Sequence, residues 1–339
     1  MAQETTAQTP KQEPGNGNLR SRLRQLTAQR EFIMLLVIVI FAIIMALASP
    51  IFLTWLNIEA ILMALTVEAT IAVGMVILLI SGGLDLSVGS TLALVGVVTG
   101  LVLTAGVGAV PAIFIGLLAG LGVGLVNGLL VAKMRINPFI TTLGTMITVR
   151  GLLLILAKGR AILNLPDSYT VIGQGRLFGV QYPIFALLFL VIGGDLLLRN
   201  SRFLRQSYYI GGNENAARLS GINVDGQKIF YYCLVAVLAG VAGLMLTARF
   251  GAASLTVGNG IELRVITACI IGGASLSGGE GSVLGAFLGA LFMGMLASAL
   301  NLLGVDVYYQ SFLTGLILIL AVVFDVVNER RKAQQKVIQ

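Results

Sequence analysis

The sequence contains no histidine, and only 11% of its 339 residues are charged, 15 acidic and 22 basic. Without histidine the chain lacks the commonest general base and the commonest metal ligand. An intramembrane metalloprotease built on H-E-x-x-H and a serine protease built on a Ser–His pair are both excluded. No Gly-Lys dipeptide occurs, so the phosphate loop G-x-x-x-x-G-K-[ST] is absent. If ATP drives this protein, another polypeptide binds it, and the chain itself is expected to carry no cofactor. The two cysteines, Cys233 and Cys269, lie in apolar stretches and imply no disulfide framework. Asp195 stands near the end of an apolar run, but no second buried Asp has a matching context, which argues against an aspartyl protease. Proline is scarce, at 7, and the 42 glycines follow no Gly-X-Y period, so they serve neither collagen nor a disordered linker.

What is present is apolar. Hydrophobic residues make up 57% of the chain, and a soluble domain carries about 25% charged residues, so too few charges exist here to build a water-facing shell. Apolar runs recur at 32–48, 58–80, 111–132, 139–157, 182–198, 229–248, 283–303 and 310–327. Each can cross a hydrocarbon layer of about 30 Å at about 1.5 Å per residue. Many glycines fall inside these runs, where small residues let helix backbones approach closely.

Two Gly-rich breaks interrupt the apolar pattern, S-G-G-L-D-L-S-V-G-S at 81–90 and G-G-A-S-L-S-G-G-E-G-S at 272–282. If each is a reversal, it adds a span, one near 88–104 and a short one near 261–271, for about ten. The expected fold is therefore all-α and polytopic, with broken or re-entrant Gly-rich segments. Irregular backbone is costly in lipid, so both breaks are expected against the bundle interior or at its cytoplasmic mouth. The breaks resemble each other, but a match this short and Gly-rich arises easily by composition, and an internal duplication stays open.

The net charge of +7 comes largely from the two ends and one internal loop. In a membrane protein this speaks of orientation and an anionic leaflet, not of nucleic acid. With ten spans the N-terminal tail, Lys133 with Arg135, the stretch 199–228 and the stretch 329–336 all fall on the cytoplasmic side. Lys158, Arg160 and Arg176 fall outside, against the rule. The expected organisation is a disordered basic tail over 1–30, a transmembrane domain over 31–328, and a C-terminal tail over 329–339, with both termini cytoplasmic. The first span is expected to be retained, because the tail is too long and polar for a signal peptide.

Charges within spans are expensive enough to need a role. Glu68 and Arg150 both come near mid-span, so they are expected either to pair or face one wet cavity, or each to meet a backbone carbonyl or reach the interface alone. Polarity within spans also marks Thr141, Thr145 and Asn301 as candidate pathway positions. In the breaks, Gly82, Gly83, Asp85, Ser87, Gly89, Ser277, Gly278, Gly279 and Glu280 are candidates for a mechanical or substrate-contacting role. Asp85 either orders its loop, caps the next helix, or meets a moving partner. The hydrophilic run Asn213, Glu214, Asn215, Ala216, Ala217, Arg218, Leu219 and Ser220 reads as a short helix. Asn213 suits the N-cap, Glu214 the positive N-terminal end, and Gly221 the stop. Such a helix either docks in a partner's groove or lies on its own bundle.

Four motifs resemble the membrane permeases of bacterial ABC importers of the ribose, xylose, arabinose, galactose and autoinducer-2 class. They are G-G-L-D-L-S-V-G-S at 82–90, N-P-F-I-T-T-L-G at 137–144 with Arg150-Gly151, G-G-N-E-N-A-A-R-L-S-G-I-N-V at 211–224, and I-G-G-A-S-L-S-G-G-E-G-S at 271–282. They run in the family's order over about 30–330. The resemblance implies a homodimer in the bacterial inner membrane, a cytoplasmic ATPase with two fused nucleotide-binding domains that binds the ATP and Mg, and a periplasmic sugar-binding protein. It also implies that the 213–220 helix is the coupling helix seated in the ATPase. The rival reading is an ion-coupled secondary transporter or channel, since broken apolar helices are common to all three. Sparse ionisable residues and the absence of histidine speak against proton coupling.

Overall fold

A computed structural model describes residues 30–338. Among these residues the chain is helical apart from one two-stranded hairpin. In order the elements are α1 (Arg30–Ala48), α2 (Trp55–Ile80), α3 (Val88–Thr104), α4 (Ala109–Ala132), α5 (Pro138–Leu156), α6 (Asp167–Gln174), β1 (Arg176–Leu177), β2 (Val180–Gln181), α7 (Tyr182–Asn200), α8 (Arg202–Gly212), α9 (Glu214–Leu219), α10 (Val224–Phe250), α11 (Ile261–Ile271), α12 (Val283–Leu302) and α13 (Val307–Ile338). Eight of these helices are long and apolar enough to cross a membrane, and α3 is a shorter apolar helix. These nine fall at nearly the expected boundaries, and α11 is the expected short segment, which at 11 residues is too short to cross the hydrocarbon layer by itself. The expected tail over 1–30 lies outside the described residues but for Arg30, and the expected C-terminal tail continues α13 as helix to Ile338.

Local signals set the ends. Asn137 accepts from the amide of Phe139 at 2.9 Å and is followed by Pro138 at the first turn of α5, where a missing amide proton costs nothing. Ser282 caps α12 by accepting from Gly285 N at 3.0 Å, and Asn223 caps α10 by accepting from Gly226 N at 3.1 Å.

The buried axis is the inner half of α2, where Ala69 to Ile80 are all buried, packed against α10, α11 and α12. By contrast α1, and α13 as far as Val327, expose Leu, Ile, Val and Phe, the surface a hydrocarbon solvent favours. Helices α4 and α10 make the closest long packing. A Cβ on Gly124 would stand 2.7 Å from the carbonyl oxygen of Tyr232, and one on Gly128 would stand 2.8 Å from Cα of Ile229. This four-residue spacing lets the two backbones meet, gaining dispersion contact that lipid tails alone do not provide.

The two ends of the bundle differ. One carries α8, α9, Arg199 and Lys228, with Lys133 and Arg135 close enough to act on the charge of Asp225. The opposite end carries α6, the hairpin, and Arg176, which pairs with Glu59 at the start of α2 at 2.8 Å. The basic groups are thus divided as the sequence indicates, with Lys158, Arg160 and Arg176 at the opposite end.

Candidate coupling and translocation sites

Helix α9 is built by its own residues. Asn213, extended at φ −162° and ψ 102°, accepts from Ala216 N at 3.0 Å, and Gly221 turns the chain out at φ +84°. Glu214 anchors the element to the bundle by contacts with Arg218 at 2.9 Å and Lys228 at 2.6 Å, and Arg218 reaches Asp225 at 2.5 Å. Burial, the largest single influence on the Glu214 carboxyl, pushes its pKa up, yet the hydrogen bonds and charges of Lys228 and Arg218 together hold it below its ordinary value. Ala217 is buried against the bundle, whereas Leu219 is 90% exposed and Asn215, Ala216 and Ser220 are exposed with it. The helix therefore lies on its own bundle by one face and offers the other outward.

The element is rooted on a node of glycines. The amide of Gly279 donates to the carbonyl of Ile80 at 2.8 Å. A Cβ on Gly211 would collide with that same carbonyl, and one on Gly278 would stand 3.0 Å from Cα of Gly211 and 3.1 Å from N of Gly82. Tyr208 of α8 donates to the carbonyl of Gly281 at 2.8 Å. Both Gly-rich breaks and the last turn of α8 thus converge where α9 begins. Gly278 and Gly279 take φ of +89° and +78°, a region side chains avoid.

The first break does not stay at the surface. Asp85, fully buried, accepts from Ser87 N at 2.7 Å, from Ser87 Oγ at 2.6 Å and from Asn127 Nδ2 at 3.3 Å. Tyr232 OH donates to the carbonyl of Leu84 at 3.1 Å, and Tyr232 stands about 12 Å along α10 from its start. Among the candidate roles, Asp85 has the geometry of loop ordering. Gly89 begins α3 where the carbonyl of Gly258 leaves no room for a Cβ. Gly83 packs over Leu78, Ser277 is exposed, and Glu280 lines a shallow polar hollow with Glu31.

Of the alternatives for the two mid-span charges, Glu68 and Arg150 do not pair with each other; Arg150 meets backbone carbonyls, and Glu68 takes a different partner. Glu68 pairs with Arg264 of α11 at 3.1 Å, and Arg150 donates to the carbonyls of Leu255 and Val257 at 2.9 and 3.0 Å. The reason is the segment between α10 and α11. Residues 251–260 fold back into the bundle, turned by Gly251, Gly258 and Gly260 at φ +62°, +82° and +75°, and their bare carbonyls take the guanidinium. Three glycines in ten residues were the available signal. Arg264 lies on the short α11, which brings it beside Glu68. Asp195, near the end of α7, is tied to Arg199 at 2.6 Å.

The five pathway candidates separate. Glu68 and Asn301 line a cavity of about 500 Å³ between α2, α11, α12 and α13, together with Asn57, Arg264, Gln310 and Thr314. Thr141 and Thr145 line a groove of about 730 Å³ between α3, α4 and α5 whose other walls are almost all apolar.

Comparison with known proteins agrees with this architecture. A family model described as the branched-chain amino acid transport system / permease component matches residues 57–322. The ribose import permease protein RbsC of Escherichia coli K12 is 40% identical over 304 residues, covering 88% of this chain and 94% of its own. The RbsC of Bacillus subtilis is 39% identical, covering 84% and 89%. The L-arabinose ABC transporter permease protein AraH of Azospirillum brasilense is 39% identical, covering 91% of each. No solved structure matches. With eight helices of membrane-crossing length and a shorter apolar one among the described residues, an outward-facing short helix at one end, and a match over most of its length, this chain is a multi-pass membrane transport subunit that belongs to the permease-component family of such transport systems.

Proposed function

We propose that the chain conducts a monosaccharide or related small polyol across the bacterial inner membrane as the permease of an ABC importer. As a permease of this type it works with an ATPase and a substrate-binding protein carried on other chains. The finer arrangement is part of the proposal: a homodimer, an ATPase with two fused nucleotide-binding domains that holds ATP and Mg, and both termini on the cytoplasmic side. The observation that carries the reading is α9, whose free face with exposed Leu219 projects at the same end as the basic side chains. Lys and Arg favour the cytoplasmic side, where an ATPase would meet that face. The sugar class is supported by relatives named for ribose and arabinose import.

ATP binding would draw the ATPase halves together, α9 would carry that displacement to the glycine node, and the node would shift α2 against α11 and α12. A substrate can move such an equilibrium only by its differential affinity for the two states, so the permease needs few and weak sugar contacts. The test is reconstitution of the chain with its ATPase and binding protein in proteoliposomes, followed by uptake of a panel of labelled pentoses and hexoses. ATP-dependent uptake is expected. Uptake that ignores ATP and follows an imposed ion gradient would replace this reading with the carrier.

A further inference from the structure

We propose that Thr141 and Thr145 of α5 are substrate-contacting residues, whose hydroxyls hold those of the polyol in the groove between α3, α4 and α5. The inference rests on the importer reading above and on the homodimer within it: one chain supplies the groove and its row of hydroxyls, and the second copy closes it.

Threonine in an apolar helix commonly turns its hydroxyl back onto the carbonyl one turn earlier. On α5 Thr142 does so at the carbonyl of Pro138 and Thr148 at that of Gly144, both at 2.9 Å. Thr141 does not. It is only 7% exposed, and its Oγ1, cut off from water, bonds no group among the described residues, although a buried hydroxyl left unpaired weakens a fold. Thr145, half-buried one turn on, is likewise without a hydrogen-bond partner there. Both side chains line the groove. Unmet hydrogen bonding on successive turns of one helix face, kept where the fold gains nothing from it, marks a surface made for a solute's hydroxyls.

The shape of the groove agrees. From Thr141 to Leu156 it follows α5 for about 22 Å of helix rise, most of a hydrocarbon layer of about 30 Å. Gly122 on the α4 wall and Gly144 on the α5 wall keep it open, since a Cβ on either would meet nothing within 4 Å. Thr141, Thr145 and Thr148 take the half nearer α9, because α5 begins just after Lys133 and Arg135, and Val149, Leu152 and Leu156 take the other. A sugar has C–H faces between its hydroxyls, and a hydroxyl row beside apolar walls matches both. Threonine donates and accepts without charge, which suits a solute that must bind well enough to enter and weakly enough to leave. A lipid tail in the same place would leave the row unpaired.

The polar cavity between α2, α11, α12 and α13 has less left to offer. Glu68 is paired with Arg264 at 3.1 Å, Asn301 with Gln310 at 2.7 Å and Asn57 with Ser298 at 2.8 Å. Its side chains satisfy one another, as interior packing requires.

The test is ATP-driven uptake of labelled ribose and arabinose by the reconstituted full complex. Thr141→Val keeps the shape and removes the hydroxyl. Uptake is expected to fall at least fivefold while the melting temperature stays at or above that of wild type, since no bond within the fold is lost. Thr141→Ser, which keeps the hydroxyl, should import within twofold of wild type, and Thr141→Val combined with Thr145→Val should lose at least tenfold. In a second arm, Thr145→Cys in the same complex should be modified by a charged, water-soluble thiol reagent well above the background of Cys233 and Cys269. Full uptake by Thr141→Val, or a loss that Thr141→Ser shares, overturns the assignment. Modification of Thr145→Cys by a membrane-soluble maleimide alone would make the groove a lipid slot and overturn it as well. Failure of the wild-type complex to import any sugar on ATP would instead sink the importer reading, so the two failures are distinct.

Discussion

The amide of Gly279 donates to the carbonyl of Ile80 at 2.8 Å, a hydrogen bond that joins two Gly-rich breaks far apart in the chain. It fixes the end of α2 to the loop between α11 and α12, on the spot where α8 hands over to α9. The end of α2, the loop that follows α11 and the start of α9 are thereby joined through packed backbone.

Adjacent glycines in this node should respond differently to one methyl group. Gly211→Ala places a Cβ against the carbonyl of Ile80, whereas Gly212→Ala meets nothing within 4 Å. Overpacking of this kind costs about 1–3 kcal/mol. Thermal unfolding of the purified protein should show a clear drop for Gly211→Ala and no drop for Gly212→Ala. Equal midpoints for the two would remove the node from the account.

Leu219 is 90% exposed, so Leu219→Asp should leave the melting temperature unchanged. Binding of the ATPase, followed by co-purification or by light scattering at varied concentration, should weaken at least tenfold. Unchanged binding would mean that the partner does not sit on this face of α9.

The hold on α9 depends on pH through Glu214, whose carboxyl is kept below its ordinary value of 4.5 by Lys228 and Arg218 despite burial. A depressed carboxylate contributes stability that is fully present above 4.5 and is lost as pH falls through the lower folded-state value. Hydrogen exchange of 213–220 should therefore be constant from neutral pH down to that region, once corrected for intrinsic rates, and rise below it. Glu214→Gln should flatten the profile, and a variant profile identical to wild type would remove Glu214 as the anchor.

Asp85 accepts three kinds of donor in a fully buried setting. Asp85→Ala removes the acceptor of the Ser87 amide and hydroxyl and of one Asn127 amide hydrogen, the other Asn127 bond to Ser87 Oγ at 2.9 Å remaining, at roughly 2–3 kcal/mol, and Asp85→Asn should cost less. Unfolding midpoints in detergent should fall in the order wild type, Asn, Ala. A midpoint for the Ala variant equal to wild type would show that the carboxylate orders nothing.

Much of this protein was legible in the order of its residues. Apolar runs of span length, Asn213 and Asn137 before their helices, and Gly221 after one are local signals, because a helix end is decided by the few groups that its own backbone leaves unpaired. Asn213 and Gly221 placed α9, and the two Gly-rich breaks placed α3 and α11, each with its boundaries nearly intact. The spread of lysine and arginine likewise follows from the sign of charge alone.

The partner of Glu68 could not be read that way. Arg150 was an equally deep charge, but the fold brought it to the carbonyls of 255 and 257 and gave Arg264 to Glu68. Nor could sequence divide Glu68 and Asn301 from Thr141 and Thr145, since all four are polar residues in apolar helices. Which polar groups share a cavity depends on helix rotation and on where a re-entrant strand of backbone offers free carbonyls, and both are set by packing among segments distant in the chain. Sequence by itself determined that this chain threads a membrane and bears one small outward helix; tertiary packing alone decided which of its few charges meet.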